Sequence, residues 1–413
     1  MKYLLGLNLK PDGASGTRSL LFPVAALVTG VVASVLLSQV VKENIENEAH
    51  LRFERQASDA KHVIEARIKS YFDVLYGLGA LFSKSGTLSR AEFHQYVTAL
   101  DLAHRYPGFQ GLNYAEYVTR ANKARFEARV RADTSLDSRG YPGFAIKPSG
   151  ERADYYVLNY LEPMAANQYA FGLDIAANPT IANPRAVALA LASARDSGEL
   201  TSSGQLLNVG QSRALAMLAL RLPVYRSDAP TRTREERRAA YLGSVGAGFR
   251  VRELVQGALD ESALQHMHFR LYEAGPARGY VPNPEIMSEE RLLFDSKDLV
   301  APATGERQSG ATPFNITLPM EVAGRIWEVH FSAAHEAFVR GTDVTLPWIV
   351  LAGGILISLL VVGMFYSLVS SRGRALEMAK VITKDLRESE ESLAEAQRMA
   401  HLGNWSCDPI TGT

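Results

Sequence analysis

The sequence has a single cysteine in 413 residues, Cys407, and no excess of either charge, with 44 basic and 44 acidic side chains. One cysteine excludes an internal disulfide and a cysteine-ligated zinc cluster. Balanced charge provides no overall basic field, so nucleic acid is not an expected partner. The motifs G-x-S-x-G and H-E-x-x-H are absent as well. We therefore expect this chain to be no enzyme by itself and to need no cofactor or metal.

Charge is also missing from two long apolar runs, Leu20 to Val41 and Leu346 to Val369. About 20 apolar residues are what a helix needs to cross a hydrocarbon core of roughly 30 Å, so both runs are predicted to span the lipid bilayer, as residues 20–41 and 346–369. A cleaved signal peptide is the alternative for the first run, although its apolar region would be shorter. A buried core helix is the alternative for the second.

Basic residues decide the orientation of these two spans. They precede the first span and follow the second: Lys2, Lys10, Arg18, Arg372, Arg374 and Lys380. Lysine and arginine beside a span favour the cytoplasmic side. Both termini are therefore predicted to be cytoplasmic, and residues 1–19 are the cytoplasmic N-terminus. The segment Lys42 to Thr345 is then outside the cytoplasm, on a multi-pass protein of the plasma (inner) membrane.

A long helix is predicted directly after the first span. The segment Glu43 to Tyr76 contains neither glycine nor proline. Apolar residues recur there in steps of three and four, at Ala57, Ala60, Ile64, Ile68, Tyr71, Leu75, Leu78 and Phe82. Such a stripe can pack on its own domain, or it can pair with a second copy of the helix as a dimer stalk. We expect both, along different parts of the helix. The stalk region is assigned to residues 42–104.

Beyond Pro107 the pattern changes to short β-rich runs mixed with helices. The predicted strands are Gly111 to Val118, Asp154 to Leu161, Leu218 to Tyr225, Tyr241 to Phe249, His268 to Glu273, Asn315 to Val322 and Arg325 to Ala333. The last two flank Ala323-Gly324 and predict an antiparallel hairpin. The predicted helices are Arg120 to Ala132, Pro184 to Arg195 and Val251 to Leu259. This irregular alternation predicts an α+β fold with antiparallel sheets.

Five blocks in this region resemble the CHASE domain, in the same order. They are RYPGFQGLNYAEYV from Arg105, YLEPMAANQYAFGLD from Tyr160, LASARDSGELTSS from Leu191, RLPVYR from Arg221 and RRAAYLGSVGAGFRVRELVQGAL from Arg237. The resemblance implies an extracytoplasmic sensor like that of cytokinin receptors, with a long N-terminal helix and two PAS-like lobes within residues 105–345. It also implies that the membrane-distal lobe holds a small ligand.

The resemblance extends to individual positions of the ligand pocket. Thr201, Leu207 and Leu222 match positions that line it in the family, and a pocket of apolar walls with few polar groups suits a small molecule. Tyr160 and Asp174, at the two ends of one block, complete the predicted set, with a turn or cap role as the alternative for Asp174. The helix Ala186 to Arg195 lacks the carboxylate with which plant receptors hold adenine, so cytokinin is not the expected ligand.

A heptad pattern follows the second span. Its seam includes Ala379, Ile382, Leu386 and Leu393, with charges between, and predicts a coiled-coil signalling helix at residues 370–402 that pairs in a homodimer. Residues 403–413 resemble the start of a cytoplasmic PAS domain. We therefore expect a bacterial receptor that continues into a histidine kinase or a cyclic-di-GMP enzyme. A membrane-anchored extracytoplasmic hydrolase or protein-binding module is the alternative function.

The predicted orientation is testable by cysteine labelling. With Cys407 replaced by serine, single cysteines introduced between Lys42 and Thr345 should react with a membrane-impermeant maleimide in intact spheroplasts. Cysteines introduced after Val369 should react only after lysis. Protection of the whole Lys42 to Thr345 segment in spheroplasts would contradict the receptor topology.

Overall fold

The computed structural model describes residues 16–85, 88–178, 184–204, 206, 217–259, 267–283, 286–299, 313–339 and 341–399. Three sequence-based predictions lie outside these ranges: Leu207, residues 1–15 of the cytoplasmic N-terminus, and the PAS-like start at residues 403–413. The chain divides into two units. The helical unit comprises residues up to Glu48 and from Val339, and the sheet unit comprises Ala49–Phe338.

Helices and strands alternate irregularly along the chain, as the sequence predicts. The α-helices are α1 Gly16–Ser85, α2 Arg90–Leu100, α3 Leu102–Arg105, α4 Lys123–Arg131, α5 Met164–Asn167, α6 Pro184–Ser197, α7 Arg234–Ala240, α8 Val251–Ala258, α9 His335–Phe338 and α10 Thr342–Met399. The strands are β1 Phe109–Thr119, β2 Asp154–Glu162, β3 Thr201–Ser202, β4 Leu218–Tyr225, β5 Tyr241–Phe249, β6 His268–Pro276, β7 Leu292–Asp295, β8 Phe314–Val322 and β9 Arg325–Ala333. The α+β class is confirmed.

Both sheets of the sheet unit are antiparallel. The first has the strand order β2-β1-β5-β4-β3, and the second has the order β7-β6-β9-β8. In the second sheet, β8 and β9 form the predicted hairpin, with Ala323 and Gly324 both at positive φ. Two central residues at positive φ give a turn whose twist matches that of the flanking strands. The short strands β3 and β7 were not predicted, because two to four residues are too few to show an alternation of apolar and polar side chains.

Helix α1 covers one face of each sheet. All eight residues of its predicted apolar stripe are buried, from Ala57 to Phe82. At the second sheet, the ring of Phe53 stacks on Phe314 with centroids 5.7 Å apart. At the first sheet, Phe82 stacks on Tyr114 of β1 at 4.2 Å. The prediction that this helix packs on its own domain is confirmed.

The ends of several helices follow local capping rules. Ser89 and Glu92 form a capping box at the start of α2, and Thr233 and Glu236 form the predicted one at the start of α7. These reciprocal bonds satisfy backbone N–H groups that the first helical turn leaves without partners. Helix α6 stops at Gly198, which has positive φ and donates its N–H to the carbonyl of Ala194.

In the helical unit, α1 and α10 each contain a stretch long and apolar enough to cross a membrane. Small residues meet where the two helices touch. A Cβ at Gly354 would collide with Ser34, and one at Gly30 would collide with Ser358, so glycine is needed at both crossings. The hydroxyl of Ser38 also donates to the carbonyl oxygen of Pro347, at 2.8 Å. Close approach through small residues is the usual way in which membrane helices pack.

Two leucines of α6 provide a matched test of how this helix packs on the first sheet. Leu191 is fully buried in the cluster that includes Ala115 and Tyr156, whereas Leu189 is 62% exposed. Leu191→Ala should therefore lower the free energy of unfolding by about 2 to 5 kcal/mol, because it leaves a cavity. Leu189→Ala should change it by less than about 0.5 kcal/mol. Chemical denaturation of the full chain in detergent, followed by circular dichroism, measures both. Equal losses would contradict the packing described for α6.

Candidate ligand-binding site

The first sheet has two faces with different surroundings. Side chains alternate along a strand, so neighbouring residues point to opposite faces. Tyr114, Leu222 and Phe249 point to the face that α1 covers, here the α1 face. The opposite face is here the α6 face, because Val187 and Leu191 of α6 pack there.

Small residues line the centre of the α6 face. On the central strand β5, the residues on this face are Ser244, Gly246 and Gly248, and cross-strand pairing places Ala115 beside Ser244 and Ala219 beside Gly248. None of these five residues has a side chain larger than hydroxymethyl. These small residues leave a depression in the middle of the sheet, and the side chain of Arg221 lies in it.

Arg221 of β4 extends over this depression. A Cβ at Gly246 would lie 2.5 Å from its Nη1 and 2.8 Å from its Nε, so the guanidinium lies directly on the glycine. Nη1 donates to Oδ1 of Asn113 at 2.6 Å. The side chain is buried, and Nε has no hydrogen-bond partner among the described residues. Burial lowers the pKa of Arg221 to about 10, so the group remains a cation at neutral pH.

Two hydroxyl groups accompany the guanidinium. Tyr241 interacts electrostatically with Arg221, and the Ser244 hydroxyl lies near that of Tyr241. Both side chains are buried, at 6% and 0% exposure, and neither hydroxyl makes a hydrogen bond of normal geometry within the described ranges. Burial raises the pKa of Tyr241, so this hydroxyl stays protonated and can donate. The site therefore offers one cation and two hydroxyl groups with open hydrogen-bonding capacity.

Buried polar atoms without a hydrogen-bond partner are energetically unfavourable. A buried polar atom without a partner costs about 1 to 3 kcal/mol, and more if it is charged. Nε of Arg221 and the hydroxyls of Tyr241 and Ser244 are three such atoms on one face of one sheet. A bound group that accepts hydrogen bonds from them would remove this cost.

An apolar wall adjoins the polar groups. The buried cluster on this face consists of Ala115, Tyr156, Leu158, Leu161, Ala170, Ile175, Val187, Leu191 and Tyr241, with Tyr117, Met217 and Tyr225 at its border. Several convergent polar groups beside an apolar wall are the usual composition of a small-molecule site.

Of the predicted site residues, Thr201 lies at this site. Backbone pairing aligns Thr201 with Arg221, Gly246 and Asn113 in one row across four strands. Its hydroxyl donates to the carbonyl oxygen of Ala190 in α6, at 3.1 Å. Thr201 therefore joins the edge strand to the covering helix beside the guanidinium. Direct contact with a ligand stays a prediction.

Leu222 and Tyr160 lie on the α1 face. Leu222 packs against Gly79 of α1, where an added Cβ would lie 2.9 Å from its Cδ2. The ring of Tyr160 contacts Phe82 and Phe93, and its hydroxyl donates to the carbonyl oxygen of Leu88 at 2.6 Å. The structure thus does not bring these two residues together with Thr201. Their packing contributes to the attachment of α1 and α2 to the sheet.

Asp174 has the role of a turn residue. It is 1% exposed, its Oδ1 accepts from the backbone N–H groups of Tyr156 and Ala176, and its Oδ2 accepts from Nε of Arg152 at 2.9 Å. Burial raises the pKa of Asp174, and these hydrogen bonds and the Arg152 charge oppose the rise. The carboxylate fixes the loop after α5 to strand β2.

Sequence reasoning did not single out Arg221, Tyr241 and Ser244. A signal for Arg221 was present, since an arginine occupies the middle of the otherwise apolar strand LALRLPVY. A buried cation in a strand requires a partner. The two hydroxyl residues of β5 had no comparable signal, because tyrosine and serine are common in strands of every kind.

A comparison of the sequence with known protein families covers the region that contains Arg221, Tyr241 and Ser244. Residues 86–281 match the family model of the CHASE domain. No curated protein matches the chain.

Several solved structures align with the chain at low similarity. A methyl-accepting chemotaxis protein X has 12% identity over 68% of this chain and 97% of its own, with a TM-score of 0.38. The ligand-binding domain of the Pseudomonas aeruginosa PAO1 amino acid chemoreceptor PctC, in complex with GABA, has 13% identity, coverage of 70% and 99%, and a TM-score of 0.36. The periplasmic sensory domain of the Campylobacter jejuni chemoreceptor Tlp1 has 12% identity, coverage of 72% and 98%, and a TM-score of 0.36.

The turn role of Asp174 can be tested with two substitutions. Asp174→Ala removes the acceptor for two backbone N–H groups and should lower the free energy of unfolding by about 1 to 3 kcal/mol. Asp174→Asn keeps one acceptor oxygen and should cost less than half as much. Urea denaturation of the full chain in detergent gives both values. If Asp174→Ala is as stable as the wild type, the carboxylate does not hold this loop, and contact with a ligand becomes the better account of its burial.

Proposed function

We propose, from the CHASE domain at residues 86–281, that this chain is the sensory part of a membrane receptor that binds a small extracytoplasmic ligand on the α6 face of the first sheet. The observation that carries the proposal is the group of unpartnered buried polar atoms on Arg221, Tyr241 and Ser244, set beside an apolar wall. A ligand at this place satisfies those atoms and buries its apolar part in the same step.

The two apolar helical stretches support a receptor held in the membrane. Both have the length and the apolar composition that a membrane span needs. Most of their large apolar side chains are exposed, including Leu36, Ile357 and Leu360. A lipid bilayer covers such surface. With the flanking lysine and arginine residues on the cytoplasmic side, the sheet unit is extracytoplasmic in the inner membrane, and both termini are cytoplasmic.

The part of α10 beyond the span supports a homodimeric receptor. The predicted seam residues Ile382, Leu386 and Leu393 are 60 to 62% exposed in the single chain. Apolar residues at heptad spacing are covered when a second copy of the helix pairs with the first. In this proposal the paired helices pass the signal to a cytoplasmic PAS domain and then to a histidine kinase or a cyclic-di-GMP enzyme.

Ligand binding can be tested on the full chain in lipid nanodiscs. Thermal unfolding is followed with a panel of amino acids, purines, short carboxylic acids and their neutral amides, since a ligand that binds only the folded state raises the melting temperature. Thr201→Ile places a larger side chain beside Arg221 and should weaken binding of any stabilising compound by about ten-fold or more. Thr317→Ile, on exposed strand β8 of the second sheet, is the matched control and should leave the affinity unchanged.

The result separates three cases. Stabilisation that is lost in Thr201→Ile and kept in Thr317→Ile supports binding on the α6 face. Stabilisation that survives Thr201→Ile contradicts this position for the site. A panel in which no compound shifts the melting temperature contradicts the proposed class of ligand, and the protein-binding alternative then becomes the better account.

A further inference from the structure

We infer that the ligand is a small organic monocarboxylate, whose carboxylate is bound by Arg221 with the hydroxyls of Tyr241 and Ser244 and whose apolar part lies against the neighbouring cluster. The inference rests on the proposed sensory function and adds the chemical class of the ligand to it.

The first step is that Arg221 lacks the partners that a structural buried arginine has. Arg90 provides the comparison within the same sheet unit, since it is buried as deeply. Its three nitrogens donate to Oδ2 of Asp133, and to the carbonyl oxygen and Oδ1 of Asn159, at 2.6 to 3.2 Å. Among the described residues, Arg221 makes one hydrogen bond, to the neutral Asn113, and forms no ion pair with a carboxylate. A buried cation without a counter-charge is unfavourable, and an anion that binds beside it removes that cost.

The second step concerns the number of charges. Among the described residues, no second cationic side chain forms a hydrogen bond or ion pair with Arg221, Tyr241 or Ser244. A single guanidinium balances a single negative charge. A dianion such as phosphate would leave one charge buried without compensation, which is unfavourable.

The third step concerns the shape of the ligand. A guanidinium presents its N–H donors in a planar fork that fits a carboxylate, and the two hydroxyls can donate to the remaining lone pairs. Beside these donors lie the rings of Tyr117, Tyr156 and Tyr225, together with Leu191. Apolar surface next to a buried anion site suits an acid with a hydrocarbon or aromatic body.

A first experiment needs no ligand. Arg221→Met removes an uncompensated buried charge, so the loss of the Asn113 bond is offset, and the melting temperature of the full chain should change by less than about 4 °C. Arg90→Met breaks a satisfied buried network and should lower it by about 6 to 20 °C. If Arg90→Met does not fold, Arg90→Lys serves as the comparison, with a smaller loss. A loss in Arg221→Met as large as that in the Arg90 variant would show that Arg221 is structural and would overturn the inference.

A second experiment compares acids with their isosteric amides. Propionate and phenylacetate are titrated against the full chain in nanodiscs beside propionamide and phenylacetamide, at constant ionic strength, with inorganic phosphate as a further probe. At least one of the two carboxylates should raise the melting temperature, while its amide and phosphate should not. Arg221→Met should weaken that binding by about ten-fold or more, because a charge-assisted hydrogen bond is lost. Arg221→Lys, which keeps the charge without the fork, should lose less.

The outcomes separate the ligand class from the receptor function. If neither carboxylate stabilises the chain, the inference is overturned. If an amide or a purine from the wider panel stabilises it and that effect needs Thr201 but not Arg221, the inference is again wrong while the sensory function stands. Equal stabilisation by phosphate and by a carboxylate would show a general anion site and would also overturn the assignment to monocarboxylates.

Discussion

The burial of the apolar stripe of α1 against both sheets is the contact on which the rest of the sheet unit depends. Phe53 meets the second sheet, and Tyr71 and Phe82 meet the first, so one helix attaches both sheets through aromatic rings. Each large ring that is removed from water contributes a few kcal/mol. This packing places Tyr114, Leu222 and Phe249 under α1, on the face opposite Arg221.

The buried polar groups of the sheet unit differ in how many hydrogen-bond partners they have. Arg90 and Asp174 are almost inaccessible, and each has three hydrogen bonds or ion-pair contacts that hold one element to another. Arg221, Tyr241 and Ser244 are equally buried and leave hydrogen-bonding capacity unused. Folded proteins rarely leave such groups unpaired, because each costs free energy. Arg221, Tyr241 and Ser244 differ from Arg90 and Asp174 in that they lie close together along two paired strands with this capacity unused.

Much of the fold could be predicted from the sequence, and less of the site. Strands β4, β5 and β9 have the predicted bounds, because alternation and flanking turn residues mark them. The same alternation shows that Leu222 and Arg221 point to opposite faces, but it does not show which face α1 covers. That is decided by contacts between residues far apart in the sequence, such as Gly79 with Leu222. The resemblance therefore indicates strand β4, whereas the face on which each of its residues lies is known only from the structure.

The position of Thr201 also links the site to the second sheet. Gly204, three residues further along, lies directly under the guanidinium of Arg325 in β9. Nε of Arg325 donates to Oε1 of Glu273 in β6 at 2.7 Å, so this arginine is held by its own sheet while it covers a loop of the other. Gly204 has positive φ, and a side chain there would collide with the guanidinium. Since β3 pairs with β4 at Arg221, this short strand connects the first sheet to the contact between Gly204 and Arg325 of the second.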